Sequence, residues 1–112
     1  MSLTAPSTLT TERVALDLGA RSYDICIGAD LLSQASSYDG LPASSAAVVV
    51  TNTTVAPLWL APVRSALRQR HRQVYEVLLP DGEEHKNWQT LQRIFDTLLE
   101  HGCDRKTVLY AL

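Results

Sequence analysis

Hydrophobic and polar residues alternate along the first part of the chain in a way that predicts a β-hairpin. Apolar side chains occupy every second position over residues 13–18, and the alternation returns over residues 23–27 after a Gly-Ala-Arg break. A period of two places successive side chains on opposite faces of a strand. We therefore expect two antiparallel strands with one face in water. A short helix over residues 29–38 and a loop over residues 39–45 are expected to follow.

The pattern changes at Ala46, where the run AAVVV is continuous rather than alternating. Such a run is typical of a strand buried on both faces of a parallel sheet. The pattern then predicts a helix over residues 55–67, a strand over 74–80, a helix ending at His101-Gly102 and a strand over 107–112. The hairpin followed by β-α-β-α-β predicts an α/β fold, a Rossmann-like parallel sheet with crossover helices preceded by an N-terminal β-hairpin.

Both helices are predicted to bury an apolar stripe. The stripes consist of Val55, Leu58, Trp59, Val63, Ala66 and Leu67 in the first helix, and of Trp88, Leu91, Phe95, Leu98 and Leu99 in the second. Asn52 or Thr53 is expected to cap the first helix, and Pro57 is tolerable in its first turn. Pro62 lacks the N–H of a helix hydrogen bond, so we expect a kink or a restart near it.

Composition narrows the class of protein. A chain of 112 residues with 46% hydrophobic content suits one compact domain, and a net charge of −2 provides no basic field for nucleic acid. No apolar run is long enough to cross a membrane. Cys26 and Cys103 form no disulfide framework, which favours a reducing cytoplasm. Residues 1–12 are rich in Ser, Thr and Pro, and they predict a disordered tail before a domain over 13–112.

Polar residues are expected to meet at one edge of the sheet. Thr51 and Asn52 end the first parallel strand, the segment PDGEEHK over residues 80–86 follows the second, and Leu112 ends the third. Ligands of open parallel sheets bind along the edge formed by the carboxyl ends of the strands. These two polar clusters therefore predict a binding site on a common ledge.

A purely structural explanation of the PDGEEHK segment also exists. Asp81 and Glu84 have the spacing of a capping box, and carboxylates in a first helical turn interact favourably with the helix dipole. Lys86, a cation near the positive end of that dipole, needs another explanation. It either pairs with Glu83 three residues earlier or faces an anion.

Other chemically capable residues give weaker signals. His71, His85 and His101 have no metal-ligand spacing and lie on charged stretches, so solvated surface histidines are expected. Neither cysteine has a recognisable base nearby, so both are predicted to be inert thiols. Trp59 and Trp88 lie on the helix stripes and are expected in the core.

Three segments together resemble the amino-terminal domain of the 3-dehydroquinate synthase family. They are LDLGARSYDICIG, VVVTNTTVAPLWL and LLPDGEEHKNWQTLQRIFDTLL, and the resemblance extends from about Val14 to Leu112 in one order. The most specific part is VTN together with PDGE-x-x-K. In that family a glycine-rich turn over the NAD pyrophosphate follows the third strand. The resemblance therefore implies a piece of a longer enzyme, truncated before that turn and without the carboxyl-terminal catalytic metal domain.

The resemblance also assigns cofactor-binding residues. It implies that NAD lies beside the PDGE-x-x-K segment, with contacts from Thr51, Asn52, Asp81, Gly82, Glu83, Glu84, His85 and Lys86. Glu83 would accept two ribose hydroxyls, Gly82 would allow close approach of the backbone, and Lys86 would bond ribose or sit near the phosphates. Asn52 would suit a polar edge of the nucleotide. His85 stands where relatives often have an aromatic residue, which leaves its contact open.

The activity implied by the resemblance belongs to a larger protein. Family members convert 3-deoxy-D-arabino-heptulosonate 7-phosphate to 3-dehydroquinate and phosphate in the shikimate pathway, with NAD regenerated in each turnover. A divalent metal, zinc or cobalt, is held by a glutamate and two histidines of the carboxyl-terminal domain. We therefore expect no catalytic and no metal-binding residue in this chain, no turnover by it alone, weak NAD binding at most, and a cytoplasmic homodimeric parent acting on a small sugar phosphate.

Alternatives remain at this stage. Other NAD-dependent sugar-phosphate cyclases, such as 2-deoxy-scyllo-inosose synthases, and glycerol dehydrogenase relatives share this half of the fold. Their substrates are chosen mainly by residues beyond Leu112. A non-catalytic nucleotide-binding module is a further possibility.

Overall fold

The structure, a computed structural model, describes residues 11–112. The chain divides into two units, with the boundary in sequence between Leu31 and Leu32. In the first unit, strand β1 (Glu12–Leu16) pairs antiparallel with β2 (Tyr23–Ile27), as predicted. A 3-10 turn over Gly19–Arg21 joins them, and Gly19 has φ +68°, a conformation that favours glycine. Residues 1–10 of the predicted tail lie outside the described residues, and Glu12 already belongs to β1.

The short helix predicted over residues 29–38 is not formed. Two 3-10 turns, Leu31–Ser33 and Ala35–Tyr38, take its place. This segment has too few spaced apolar residues to support an α-helix by packing, because serines and Gln34 interrupt it. Tyr38 anchors it instead, with a buried ring and a hydroxyl that donates to the Leu32 carbonyl at 2.7 Å.

The second unit contains a parallel three-stranded sheet in the order β4-β3-β5. Its strands are β3 (Ala46–Asn52), β4 (Gln73–Leu79) and β5 (Val108–Ala111), and both neighbours pair parallel with β3. Residues 47–49 of the central strand have no exposed surface. The continuous β-branched run thus forms the centre of the sheet, and the α/β prediction is confirmed.

Helix α1 (Ala56–Leu67) packs on one face of the sheet and provides most of the core. Its buried residues are Leu60, Val63, Ala66 and Leu67. The predicted stripe was wrong in its first turn, where Leu58 and Trp59 are 66% and 50% exposed. Apolar spacing cannot tell which side of a helix end is covered, because the packing partner decides it.

The ends and prolines of α1 also differ in part from expectation. Pro57 lies in the first turn as predicted, whereas the helix runs through Pro62 without the predicted restart. The N-cap position is Val55 rather than Asn52 or Thr53, and no side chain caps it. Asn52 acts just before it, because its Oδ1 accepts from the amides of Thr54 and Val55 at 3.0 and 2.7 Å.

Helix α2 (Trp88–Glu100) connects β4 to β5 and has no buried residue. The prediction that its whole stripe is buried was wrong, because Trp88 and Leu99 are each 78% exposed and Phe95 is 43% exposed. The end of the helix was predicted correctly: it is followed by His101 and by Gly102 with φ +62°.

Candidate functional site

A cavity of about 850 Å³ opens where the three sheet strands end. The carboxyl ends of β3 and β4, the segment that follows β4 and the first turns of α2 line it. Its walls include Thr51, Asn52, Asp81, Gly82, Glu83, His85 and Lys86, together with apolar side chains of Val50, Leu79, Trp88, Leu91, Ile94 and Leu112. All the predicted site residues except Glu84 therefore line one cavity, on the predicted edge of the sheet.

Asp81 connects the two polar turns at this edge. Its carboxylate accepts from the Thr54 hydroxyl at 2.8 Å and from the Asn52 amide nitrogen at 3.4 Å. A backbone hydrogen bond from Thr53 N to Leu79 O at 3.1 Å runs beside these contacts. The turn after β3 and the turn after β4 are thus held together, which confirms the predicted common ledge.

The PDGEEHK segment forms a 3-10 turn of its own rather than the start of α2. The turn covers Glu83–His85, and Gly82 precedes it with φ +122°. That φ is rarely adopted by residues with a Cβ, and a Cβ there would lie 2.6 Å from the Glu84 carboxylate. The exposed Glu84 side chain can move aside, so it is the backbone conformation that favours glycine at this position.

The capping box predicted from Asp81 and Glu84 was wrong. Helix α2 begins later, and the Oδ1 of Asn87 caps it by accepting from Thr90 N at 3.0 Å. The Asp81 carboxylate instead faces the turn after β3. Glu84 lies away from the cavity, 3.8 Å from His85 Nε2.

Lys86 and Glu83 form an ion pair at the cavity wall. The Lys86 ammonium donates to Glu83 Oε1 at 2.9 Å, and the two side chains are 74% and 85% exposed. This hydrogen bond, and then the negative charge of Glu83, raises the pKa of Lys86 above its ordinary value. The pairing considered as one explanation of Lys86 is therefore present, and both groups also remain in reach of solvent and of the cavity.

Thr51 provides the one buried polar group at the edge that lacks a partner. It is 4% exposed, and its hydroxyl has no hydrogen bond within the described residues. The hydroxyl oxygen itself is enclosed, and a buried hydroxyl without a partner costs free energy. The cavity therefore combines an apolar floor, hydroxyl and amide groups, and one ion pair, a set of groups that fits a nucleotide with a flat base and a ribose.

Sequence reasoning missed Thr54 and the apolar floor of the site. Thr54 was missed because its partner Asp81 is 27 residues away along the chain. Trp88 was expected in the core, yet it lines the cavity and is mostly exposed. The available signal was the position of this tryptophan, which lies in the first turn of the helix that follows the polar segment.

The histidines differ from the prediction that all three are solvated. His71 is 3% exposed, with Nδ1 2.7 Å from the Ser44 carbonyl and Nε2 2.8 Å from the Tyr110 hydroxyl. A carbonyl only accepts, so Nδ1 carries the proton and Nε2 accepts from Tyr110 when the ring is neutral. Burial raises the pKa of the Tyr110 hydroxyl, which keeps the proton it donates. His101 stacks on Tyr75 at a centroid distance of 4.0 Å.

Three further findings concern the described residues as a whole. Residues 11–112 contain no group of three or more His, Cys, Asp or Glu side chains arranged to hold a metal ion. Within the same range, no helix has the length and apolar character required to span a bilayer. Cys26 and Cys103 are both free thiols.

No protein-family model matches the chain, but one protein of similar sequence is informative. The chain is 53% identical over 93 residues to a 3-dehydroquinate synthase of Nitrosomonas europaea, an alignment that covers 82% of this chain and 25% of that enzyme. The chain thus spans about a quarter of the length of the relative that it matches.

Solved structures share the fold. A crystal structure of 2-deoxy-scyllo-inosose synthase superposes with a TM-score of 0.72 at 17% identity, over 89% of this chain and 28% of that one. A second crystal structure of such a synthase, in complex with carbaglucose-6-phosphate, NAD+ and Co2+, gives a TM-score of 0.71 at the same identity, over 89% and 27% of the two chains. The chain is therefore similar in sequence to about a quarter of a 3-dehydroquinate synthase, and it shares its fold with part of a 2-deoxy-scyllo-inosose synthase.

Proposed function

We propose that this chain is the amino-terminal, NAD-binding part of a 3-dehydroquinate synthase. The proposed reaction of the complete protein converts 3-deoxy-D-arabino-heptulosonate 7-phosphate to 3-dehydroquinate and phosphate, as a lyase of the shikimate pathway. The sequence identity of 53% over 93 residues carries this proposal. At that level of identity, we expect the aligned parts of the relative and of this chain to share a fold.

The cavity supports NAD as the ligand of this part. Glu83 presents an exposed carboxylate that can accept from two neighbouring ribose hydroxyls, and the ammonium of Lys86 beside it can donate to ribose or phosphate oxygens. Trp88 and Leu91 offer apolar surface to a base. When bound, NAD supplies a reversible oxidation of a substrate alcohol. The residues of this chain bind and orient the cofactor and have no role in proton transfer.

The divalent metal and most substrate contacts are assigned to another part of the protein. The described residues contain no metal-binding group of side chains, so the zinc or cobalt of the proposed enzyme would be held outside them. We expect the 112-residue chain alone to bind no zinc, to release no phosphate from the substrate and to bind NAD weakly. The complete enzyme is proposed to be a cytoplasmic homodimer.

A second candidate is a cyclase of the 2-deoxy-scyllo-inosose synthase type, because solved structures of that enzyme share the fold. One assay separates the two candidates. The complete protein that contains this chain is given NAD, Co2+ or zinc, and either 3-deoxy-D-arabino-heptulosonate 7-phosphate or glucose 6-phosphate. Phosphate release from the first substrate alone supports the proposal, release from the second alone supports the other cyclase, and release from neither contradicts both.

A further inference from the structure

A hydrogen-bonded clasp joins the turn after β3 to the PDGEEHK segment, and Thr54 is the part of it that no sequence motif indicated. The two carboxylate oxygens of Asp81 have separate partners, Oδ1 the amide of Asn52 at 3.4 Å and Oδ2 the hydroxyl of Thr54 at 2.8 Å. Both contacts are to the same carboxylate, and the Thr54 contact is the stronger because it has an ordinary O–H···O length, whereas the Asn52 contact is longer than usual for N–H···O.

The segment that follows Asp81 is held at its other end by Asn87, whose N donates to His85 O at 3.0 Å and whose Nδ2 donates to Glu84 O at 3.3 Å. Between these two anchors, the 3-10 turn Glu83–His85 contains no buried residue, and its internal backbone bonds are His85 N to Gly82 O at 3.1 Å and Lys86 N to Glu83 O at 3.0 Å. A turn of this length without packing has low local stability. The backbone of Gly82 can adopt dihedral angles that other residues rarely adopt. The orientation of the turn therefore depends on the hydrogen bonds that hold Asp81.

We infer that Thr54 is a positioning residue for the cofactor site, acting through Asp81 on the ion pair of Glu83 and Lys86. This inference rests on the proposed function. With the Thr54 hydroxyl in place, Asp81 is anchored to the wall formed by β3, and the turn presents Glu83 to the cavity in one orientation. Without it, the turn samples several orientations. A ligand that binds only one of them then binds more weakly, because ordering the turn costs free energy.

The neighbouring threonine provides a matched control. Thr53 is exposed, and its side chain has no hydrogen bond within the described chain. Thr54→Val removes the hydroxyl and keeps the shape of the side chain, and Thr53→Val makes the same chemical change one residue away. Thr54→Ser keeps the hydroxyl and should retain most of the affinity.

The test uses the complete protein that contains this chain, with two readouts for each variant. Titration with NAD+ gives the Kd, and hydrogen exchange without NAD+ reports the amides of His85 and Lys86. For Thr54→Val we expect NAD+ to bind about threefold to tenfold more weakly, the range for loss of one ordinary hydrogen bond, because the lost contact acts on the cofactor only through the turn. Exchange at the two amides should become faster, with the melting temperature close to that of the parent.

The two readouts separate the possible failures. The inference is overturned if Thr54→Val behaves like the parent in both measurements, or if Thr53→Val weakens NAD+ binding to the same extent. If the unmodified protein binds no NAD+, the proposed function fails, while faster amide exchange in Thr54→Val alone would still establish the clasp.

Discussion

The two helices that follow β3 and β4 differ sharply in their surroundings, although both have an amphipathic sequence. Helix α1 buries four side chains against the sheet, whereas α2 buries none fully, with Ile94 and Leu98 half-buried and its other apolar residues exposed. The cavity lies on the side of α2, where Trp88, Leu91 and Ile94 form part of its wall. One face of the sheet therefore holds the fold together, and the other carries the groups available for binding.

This division implies that the apolar pattern of α2 has a different meaning from that of α1. An apolar stripe indicates that a helix has an apolar partner. The sheet buries four side chains of α1, whereas α2 contacts β4 and still leaves Trp88, Leu91, Phe95 and Leu99 exposed. Substitutions on the α1 side should therefore change the free energy of unfolding, and substitutions on the α2 side should mainly change binding.

The largest expected effect comes from truncating a leucine of α1. Leu67 has no exposed surface, so Leu67→Ala should lower the free energy of unfolding by about 2–5 kcal/mol. Leu99→Ala is the matched change on α2, where the side chain is 78% exposed, and it should cost less than about 0.5 kcal/mol. Denaturant titration of both variants checks this. Similar losses in the two would contradict the division between the faces.

A smaller loss is expected from the hydrogen bond inside the α1 side. Tyr110→Phe removes the hydroxyl that donates to His71 Nε2, and a buried nitrogen left without a partner should cost about 1–3 kcal/mol. Tyr23→Phe is the control, because Tyr23 is 56% exposed. Thermal unfolding followed by circular dichroism would measure both. An unchanged stability in Tyr110→Phe would show that the pairing with His71 contributes nothing.

Removing the N-cap of α2 should lower the free energy of unfolding by a smaller amount. Asn87→Ala removes the side chain that caps Thr90 N and should cost about 1 kcal/mol. Glu84→Gln, at the position that the capping-box spacing had indicated, should leave the free energy of unfolding nearly unchanged. If Glu84→Gln is the more damaging of the two, α2 begins earlier than the structure has it.

The smallest effect on stability, and a clear effect on binding, is expected at the ion pair. Glu83 and Lys86 are both mostly exposed, so Glu83→Gln should change the free energy of unfolding by less than about 1 kcal/mol. The same change should weaken NAD binding to the complete protein about tenfold, because the carboxylate accepts hydrogen bonds more strongly than an amide. Glu100→Gln, at the exposed far end of α2, is the control. Equal NAD affinity in the two variants would remove Glu83 from the site.

These comparisons also show how much the sequence could predict. The β-branched run from Ala46 indicated the central strand, and the polar residues that follow β3 and β4 indicated the edge at which the cavity lies. Both predictions depend on local pattern and on a general rule of parallel sheets. Neither prediction required knowledge of which distant residues are in contact.

The errors arose where a distant partner decides the outcome. His71 was expected on the surface because its neighbours in sequence are charged, yet Ser44 and Tyr110 enclose it. Asp81 has the spacing of a helix cap, but Thr54 is its closest partner. Trp88 lies on an apolar stripe, but it is 78% exposed although α2 contacts β4. Spacing along one element carries no information about such contacts.

The central claim is that the edge formed by the ends of β3 and β4 binds the adenosine side of NAD. A crystal structure of the complete protein with NAD tests it most directly. The account predicts an NAD ribose within hydrogen-bond distance of the Glu83 carboxylate, with Lys86 and the turn after β3 beside it. NAD bound elsewhere, with Glu83 and Lys86 still paired in solvent, would contradict it.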